Sequence, residues 1–374
     1  MRNRVRVANP HDIEEVLSDL RQASLSGPAL PVMRAAVLNL VAYAPNPIEA
    51  DELAAQVEGL AEQHPSRTIV LGAGSGQEAG NLEVFVSAHC HPATVDRLVC
   101  YEEIEILAGS DLVGRLPAIV LALLLRDLPV ILWWPGDLPF GAPLFEQLMA
   151  RADRLLVDSL TASDPDGFLR RLAALGHAEH CECAVRDLNW DRLGPWRELT
   201  AQLFDPPDCR LCLEHLDWVR VAYAGHRGSE AAQAYLLAGW LATRLGWLPE
   251  EPATDGARIR LRHGQRRVAV EFVRLATRPG EEPGLRSLAM EAPYGAGRAS
   301  LGLRRSSERP EAEGWVRLPG REARQWLVPF PLLQVTDLLR EEFQSWGADP
   351  IYQEALQMAA FFSTQPVAVA EQSV

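Results

Sequence analysis

The amino-acid sequence predicts an α/β protein with two domains, the first a mostly parallel sheet flanked by helices with antiparallel edge strands, the second a smaller α/β or α+β domain. The length of 374 residues exceeds the usual size of a single domain. In the N-terminal half, helical patterns alternate with fully apolar runs such as PVILWW at 129–134. Such runs are typical of parallel strands covered on both faces. Period-two alternation at 82–86 and 98–107 is typical of half-covered edge strands.

The elements of the N-terminal half follow one another in an order that supports this fold class. Apolar residues at helical spacing predict helices at 11–22, 48–63, 112–125, 143–150 and 165–175. Apolar or alternating runs predict strands at 34–43, 67–71, 82–86, 98–107, 129–134 and 154–157. Residues 1–204 are therefore predicted to form an N-terminal α/β domain.

The second half begins after a segment that cannot continue a helix. Asp205-Pro206-Pro207-Asp208 predicts a linker at 205–210, since proline removes a helical N–H group. A C-terminal α+β domain is predicted at 211–364, followed by a disordered tail at 365–374. Its predicted strands lie at 216–224, 258–261, 268–273, 285–291, 297–303 and 314–318, and its helices at 229–245, 332–346 and 350–362.

The balance of charge excludes several classes of function. The chain has a net charge of −14, from 36 basic and 50 acidic side chains, so it repels phosphate backbones and anionic lipid surfaces. We therefore expect no nucleic-acid partner and no membrane association. All the basic residues are arginine, which rules out a P-loop lysine, a Schiff base and a lysine general base.

The sequence predicts a protein of the reducing cytoplasm. The N-terminal stretch MRNRVRVANP lacks the apolar core of an export signal. The longest apolar run, at 116–125, is too short to span a bilayer. Six cysteines in a chain of this length are too few for a disulfide scaffold.

Motifs for catalysis and cofactor binding are weak, so no catalytic residue and no cofactor are predicted. The glycine-rich segment at 72–76 follows a strand, but a phosphate-binding loop needs a helix directly after it, and the next pattern has period two. No GxSxG motif is present. Glu103 and Glu105 share one face of an alternating strand, which we interpret as a solvated face.

Cysteine and histidine residues cluster at irregular spacing, so no metal site is predicted. The clusters are His89-Cys90-His91, then His177, His180, Cys181 and Cys183, then Cys209, Cys212 and His215. The single CxxC, Cys209 to Cys212, would need a thiol of low pKa at a helix N-terminus to be redox-active. Residues 211–216 do not clearly begin a helix, so we interpret these cysteines as ordinary thiols.

Arginine is concentrated between 258 and 278, where one strand carries three of them. Arg258, Arg260 and Arg262 are predicted to lie on one strand face, opposite Ile259 and Leu261. A positive face on an acidic protein can dock a carboxylate-rich or phosphate-bearing partner. The alternative interpretation is the solvated outer face of a hairpin.

Tryptophan residues give a second set of candidate partner-binding positions. Trp133 and Trp134 close the apolar strand at its carboxyl end, where parallel sheets form ligand crevices, and Asp137 follows them. The later candidates combine tryptophan with arginine, as interface hot spots do; they are Trp190, Arg192, Trp196 and Arg197. The alternative for each tryptophan is core packing between sheet and helices.

Several blocks of sequence resemble the OpcA family. They are DLPVILWWPG at 127–136, DLNWDRL at 187–193, PWREL at 195–199, FD at 204–205, HPSR at 64–67 and CYEEI at 100–104. Their order and spacing match that family, and the similarity runs from about residue 30 to residue 362. The combination is specific, whereas any one block alone is not.

OpcA proteins are known as assembly factors and allosteric activators of glucose-6-phosphate dehydrogenase in cyanobacteria and actinobacteria. The resemblance implies that this chain is a non-catalytic partner of that enzyme, acting at the entry to the oxidative pentose phosphate pathway. Cyanobacterial members are associated with thioredoxin control through C-terminal cysteines, but this chain has no cysteine after Cys212. A second hypothesis is a sugar-phosphate or nucleotide binding protein, or an enzyme, that uses the crevice near Trp133 and Trp134.

Overall fold

The computed structural model describes residues 4–23, 32–34, 36–60, 64–74, 80–94, 97–176, 183–225, 229–255, 258–277, 283–307, 309–345, 347–365 and 368–369. The chain divides into two compact units. Unit 1 comprises Met1–Val157, His180–Arg186 and Gln334–Ala348, and unit 2 comprises Asp158–Glu179, Asp187–Leu333 and Asp349–Val374. The domains predicted from sequence, 1–204 and 211–364 with a linker at 205–210, do not coincide with these units. Whether those domains fold independently stays a prediction.

Both units contain a large sheet and several helices. The strands are β1 Val5–Val7, β2 Val32–Arg34, β3 Leu38–Ala44, β4 Ser66–Gly74, β5 Leu82–Thr94, β6 Arg97–Gly109, β7 Val130–Pro135, β8 Arg154–Asp158, β9 Ala184–Asp187, β10 Trp218–Ala224, β11 Leu248–Asp255, β12 Arg258–His263, β13 Arg266–Leu275, β14 Gly284–Tyr294, β15 Gly297–Arg305, β16 Glu311–Arg317, β17 Arg324–Pro329 and β18 Ala368–Val369. The helices are α1 Ile13–Ala23, α2 Pro47–Glu58, α3 Leu116–Leu123, α4 Pro143–Met149, α5 Pro165–Leu175, α6 Leu188–Arg192, α7 Gly194–Gln202, α8 Pro207–Leu213, α9 Glu230–Arg244, α10 Val335–Gln344 and α11 Pro350–Phe362.

Unit 1 is built on a sheet with the strand order β1-β5-β6-β4-β3-β7-β8-β9, and β2 pairs with β6. Strand β3 is parallel to β4 and to β7, and β4 is parallel to β6. At the edge, β5 is antiparallel to β6 and β1 is antiparallel to β5. This confirms the predicted mostly parallel sheet with antiparallel edge strands. Counted from β3, the six strands from β6 to β9 have the order 3-2-1-4-5-6, which is that of dinucleotide-binding domains.

Unit 2 is built on a second sheet, with the order β11-β12-β13-β10-β14-β15-β16-β17 and β18 beside β13. The predicted hairpin at 258–273 is confirmed as β12 and β13, which pair antiparallel with Leu261 opposite Val268. The buried face of the sheet packs on helices, since Phe272 makes edge contacts with Tyr235 of α9 and Phe362 of α11. The mixed content of this unit agrees with the predicted second sheet domain.

Some elements differ from the prediction, for local reasons. Helix α8 begins at Pro207, inside the predicted linker, because proline fits the first turn of a helix although it cannot continue one. The helix predicted at 112–125 ends earlier, at Leu123, because the buried Asn39 amide binds both backbone groups of Leu125 at 2.8 and 3.0 Å. Strands β9, β11 and β17 and helix α6 were not predicted, since they are short or polar.

The predicted C-terminal tail is only partly described. Within it, Ala368–Val369 forms β18, parallel to β13, and the other residues from 366 onward lie outside the described part of the chain. Among the described helices, none combines the length and the apolar character needed to cross a bilayer.

Candidate functional site

The carboxyl end of the parallel strands in unit 1 is where this fold class places a dinucleotide. The phosphate loop would follow the first strand, β3, and would be rich in glycine so that its backbone can approach the pyrophosphate. The chain instead has Pro45-Asn46-Pro47 at this point. The Asn46 side chain caps α2 by accepting a hydrogen bond of 3.0 Å from the Glu49 N–H, and Pro47 has no N–H to offer. The Asn46 side chain therefore occupies a backbone N–H at the start of α2 that a phosphate would need, and Pro47 supplies none. The residues present do not fit a phosphate group.

An aromatic cluster fills the same edge of the sheet. The rings of Tyr43 and Trp134 stack with centroids 3.9 Å apart, and Phe145 meets Trp134 edge-on at 5.1 Å. The Tyr43 hydroxyl donates to the Ala73 carbonyl, and the Trp134 Nε1 donates to the Asp137 carbonyl. Trp134 is only 2% exposed, so its ring faces are not open to a nucleotide base.

The structure therefore favours the core interpretation for the tryptophans of unit 1. Trp133 is 1% exposed, and Asp137, which follows it, is exposed to solvent. Their proposed contact with a partner stays a prediction. A small-molecule crevice near Trp133 and Trp134 would require these buried rings to move, and the second hypothesis loses its main physical support.

The four candidates between 190 and 197 belong to a polar and aromatic cluster of unit 2. The Trp190 ring, 2% exposed, lies under the Arg197 guanidinium at 3.7 Å and donates through Nε1 to Asp349. Trp196, 3% exposed, packs against Phe330. Arg192 binds both carboxylate oxygens of Asp158 at 2.7 Å. These contacts explain the motif by packing and by ion pairing.

Asp187 is the buried centre of this cluster. Its Oδ1 accepts hydrogen bonds from the backbone N–H groups of Ser159 at 3.0 Å and Asn189 at 2.9 Å. Burial, together with the negative charge of Asp158, raises the pKa of Asp187 to about 6. The carboxylate therefore fixes the start of α6 by accepting the Asn189 N–H. Its buried surroundings disfavour the ionised form.

This raised pKa predicts that stability depends on pH. The folded-state pKa of about 6 exceeds the ordinary 3.8, so the stabilisation is complete below the ordinary pKa and is lost as pH rises through 6. We expect Asp187→Asn, which keeps the oxygen acceptor, to remove this dependence. Between about pH 4 and pH 7, the free energy of unfolding of the parent should fall relative to the variant by up to about 3 kcal/mol. Urea unfolding across this pH range checks it, and parallel profiles for both proteins would contradict it.

The carboxylates of β6 are buried, so their interpretation as a solvated face is wrong. Glu103 is 5% exposed and Glu105 is 2% exposed. Arg4 forms an ion pair with Glu105, and on the other face of the strand Arg67 binds Glu102 at 2.6 Å. Sequence could not show this, because the arginines that neutralise these carboxylates are distant along the chain.

Four of the six cysteines form two pairs with different chemistry. Cys90 and Cys100 form a disulfide between directly opposed residues of β5 and β6, which the sequence did not predict. Cys209 and Cys212 lie on α8, which begins before the stretch 211–216, at Pro207, and therefore has Cys209 in its first turn. Burial nevertheless raises the pKa of both thiols, that of Cys212 to about 11, which is the opposite of what a reactive cysteine needs.

Metal-ligand geometry gives no candidate in the part of the chain that the structure describes, where no group of three or more His, Cys, Asp or Glu side chains could hold an ion. His177, His180 and Cys181 of the predicted cluster lie outside it. The expectations of no metal, no cofactor and a cytoplasmic location stay predictions.

The predicted arginine strand is part of a much wider charged surface. Ile259 and Leu261 are fully buried, while Arg258, Arg260 and Arg262 alternate with them and lie on the opposite face of the strand, as predicted. Strand register identifies the outward positions of β10 and β12 to β16, which we call the arginine face. Its charged residues are the arginines Arg220, Arg258, Arg260, Arg262, Arg267, Arg298, Arg304 and Arg317 and the glutamates Glu271, Glu291, Glu311 and Glu313.

Glu271 organises the centre of the arginine face. It is 7% exposed and accepts hydrogen bonds from Arg258 at 2.7 Å and Arg220 at 2.9 Å. Burial would raise the pKa of Glu271, but hydrogen bonds from Trp218 and these arginines hold it below its ordinary value. With Arg298, which pairs with Asp217 and Glu291, these residues line an open pocket of about 360 Å³.

Comparison with known proteins shows which family the chain resembles. Residues 57–174 match the family described as glucose-6-phosphate dehydrogenase subunit N-terminal domain, and residues 183–356 match the corresponding C-terminal domain. The OxPP cycle protein OpcA of Synechocystis is 34% identical over 192 residues, which are 51% of this chain and 39% of that protein. The protein of the same name from Nostoc punctiforme is 30% identical over 314 residues, 80% of this chain and 66% of that protein.

The chain thus spans less than two thirds of the length of these curated relatives. Among solved structures, the transcriptional regulator Gal80p from Kluyveromyces lactis has a TM-score of 0.49 at 8% identity, covering 88% of this chain and 89% of that one. That likeness is too low to indicate a shared activity.

Proposed function

The chain belongs to the OpcA family, and from this membership we propose that it is a non-catalytic assembly factor and allosteric activator of glucose-6-phosphate dehydrogenase. The observation that carries the proposal is the match of both halves of the chain, at 57–174 and 183–356, to families described as subunit domains of that enzyme. In this role the chain acts at the first step of the oxidative pentose phosphate pathway.

The carboxyl edge of the parallel strands supports the non-catalytic part of the proposal. An oxidoreductase of this fold class needs a glycine-rich turn after the first strand and an open crevice beside it. This chain has a proline at the first position of α2, and the stacked rings of Tyr43 and Trp134 take up the crevice. A binding partner keeps the scaffold of such a domain without needing its cofactor site.

Activation requires that the chain binds one state of the dehydrogenase more tightly than the others. A ligand with equal affinity for two states shifts neither, however tightly it binds. We therefore propose that the chain contacts a surface that exists, or is correctly arranged, only in the active oligomer. Coupling of this kind typically changes affinity or rate by about 5-fold to 150-fold.

The direct test is an activity titration with the dehydrogenase of the same organism. We expect the purified chain alone to reduce no NADP⁺ in the presence of glucose 6-phosphate. Added to the dehydrogenase, it should raise kcat/KM by about fivefold or more, saturating at a fixed molar ratio. Light scattering on the same mixtures should show the oligomer distribution moving with the rate.

Two outcomes would refute this proposal. One is reduction of NADP⁺ by the chain alone. The other is a dehydrogenase whose rate and oligomeric state do not change when the chain is added. Intrinsic tryptophan fluorescence tests the small-molecule alternative. Sugar phosphates and nucleotides are added to the chain in the absence of the enzyme. A saturable change in fluorescence would show a binding site on the chain itself and would favour that alternative.

A further inference from the structure

The arginine face reverses the charge of the protein as a whole. Its outward positions hold eight arginines and four glutamates, while the complete chain carries a net charge of −14. A local excess of positive charge on an acidic chain creates a field that attracts acidic surfaces and orients them during encounter. The positive charge of this face therefore cannot be explained by the overall composition of the chain, which is acidic.

The arginines of this face differ in how much of their charge is already used. Arg220, Arg258 and Arg298 are held by Glu271, Asp217 and Glu291. Arg267 pairs with Glu250 and Arg304 with Glu313, and Arg260 donates to the Thr254 carbonyl.

Arg262 and Arg317, by contrast, are exposed and make no ion pair or side-chain hydrogen bond with any residue that the structure describes. Each keeps a complete guanidinium fork, which is suited to bidentate binding of a carboxylate.

The dimensions of the sheet suit a protein partner. The arginine face covers six neighbouring strands, in the order β12-β13-β10-β14-β15-β16, which span about 24 Å at about 4.8 Å per spacing. Strands of about seven residues add about 23 Å in the other direction, which gives about 550 Å² of surface. With the flanking strands β11 and β17, the sheet offers about 780 Å², close to the area of about 800 Å² that a stable interface uses on each partner.

The centre of the face has the composition of an interface hot spot. Trp218 is half-buried under the Arg220 guanidinium, 5.0 Å from its ring. The pocket of about 360 Å³ beside it is walled by Arg220 and Arg258, which the buried Glu271 holds in place, and by Arg298. Tryptophan and arginine in a pre-formed pocket at the middle of a surface are the residues that carry binding energy in protein complexes.

We propose that the arginine face is the docking surface for an acidic surface of the dehydrogenase, with Arg262 and Arg317 binding its carboxylates at the two sides and the Trp218 pocket receiving a side chain between them. This inference rests on the proposed function. A protein partner fits better than a nucleic acid, because the four glutamates lie among the arginines on three of the strands and would repel a continuous phosphate chain.

The test is a charge reversal with a matched control. The variant Arg262→Glu/Arg317→Glu alters the two unpaired positions of the face. The control Arg115→Glu/Arg151→Glu makes the same change of net charge at two exposed arginines of unit 1 whose guanidinium groups make no ion pair or hydrogen bond within the described part of the chain. Binding of each protein to the immobilised dehydrogenase is measured by biolayer interferometry at low and at high salt.

We expect the face variant to raise the Kd at least about tenfold at low salt, mainly through slower association, and to lose most of the salt dependence. The control should stay within about twofold of the parent. Unchanged thermal unfolding midpoints establish that both variants fold, since all four positions are exposed.

The remaining outcomes overturn the inference in distinguishable ways. If the parent does not bind the dehydrogenase at all, the proposed function fails. If the parent binds and the face variant binds equally well, or both variants weaken equally, the arginine face is not the docking surface. If sedimentation shows that the parent is a dimer and the variant is not, the face binds a second copy of the chain. If the parent binds a fluorescent oligonucleotide in a salt-dependent way and the variant does not, the face binds a nucleic acid.

Discussion

Replacing Trp134 by alanine is expected to lower the free energy of unfolding by about 3 to 5 kcal/mol. The ring is 2% exposed, stacks on Tyr43 at 3.9 Å and meets Phe145 at 5.1 Å. Its removal would leave a cavity between a central strand and the helix α4, which neighbouring side chains can only partly fill. Denaturant unfolding followed by circular dichroism measures the loss.

Two comparisons make this result interpretable. Phe140→Ala removes a partly exposed ring that touches only the edge of the same cluster, at Phe145, and should cost far less. Trp134→Phe keeps the stacking but loses the hydrogen bond to the Asp137 carbonyl, and should fall between the two. If Trp134→Ala kept its stability and lost only activation of the dehydrogenase, the interface role predicted from sequence would be correct and the core interpretation wrong.

Replacing Glu342 by alanine is expected to destabilise unit 1 by about 3 to 5 kcal/mol. Glu342 is 1% exposed on α10 and binds Arg186 at 2.8 Å and Arg154 at 3.4 Å. Arg154, which is 2% exposed, also donates to backbone carbonyls of Glu342 and Ser345. Without the carboxylate, the buried Arg154 guanidinium would lose the counterion that lies beside it.

The same helix supplies the control for Glu342. Arg340 pairs with Asp337 at 3.0 Å, but the two side chains are 35% and 44% exposed, so Arg340→Ala should cost less than about 1 kcal/mol. Glu342→Gln should lie between the two, because it keeps the shape and part of the hydrogen bonding. Equal unfolding midpoints in urea for Glu342→Ala and Arg340→Ala would show that the buried pair contributes nothing special.

Local sequence patterns predicted the parts of the fold that depend on neighbours along the chain. The apolar run at 129–134 became β7, and the alternation at 258–262 gave both the strand and its buried side, with Ile259 and Leu261 inward. These outcomes follow from the period of a strand, which the sequence carries directly.

Patterns failed where the environment is set by residues far away. Tryptophan is common both in cores and at interfaces, so the type of residue could not decide between the two for Trp134 or Trp190. Arg154 and Glu342 are 188 residues apart, and no local signal pairs them. One signal was present but unused, since Asn46-Pro47 after the first central strand is a typical helix start and already argues against a phosphate loop.

Helix α10 has a consequence for how the protein is made. The segment Gln334–Ala348 belongs to unit 1 although most of that unit comes from the first 157 residues, and Glu342 neutralises the buried Arg154 of β8. During translation, Arg154 therefore emerges long before its counterion has been synthesised. This buried ion pair of unit 1 can form only after nearly the whole chain has been synthesised, so it belongs to the last steps of folding.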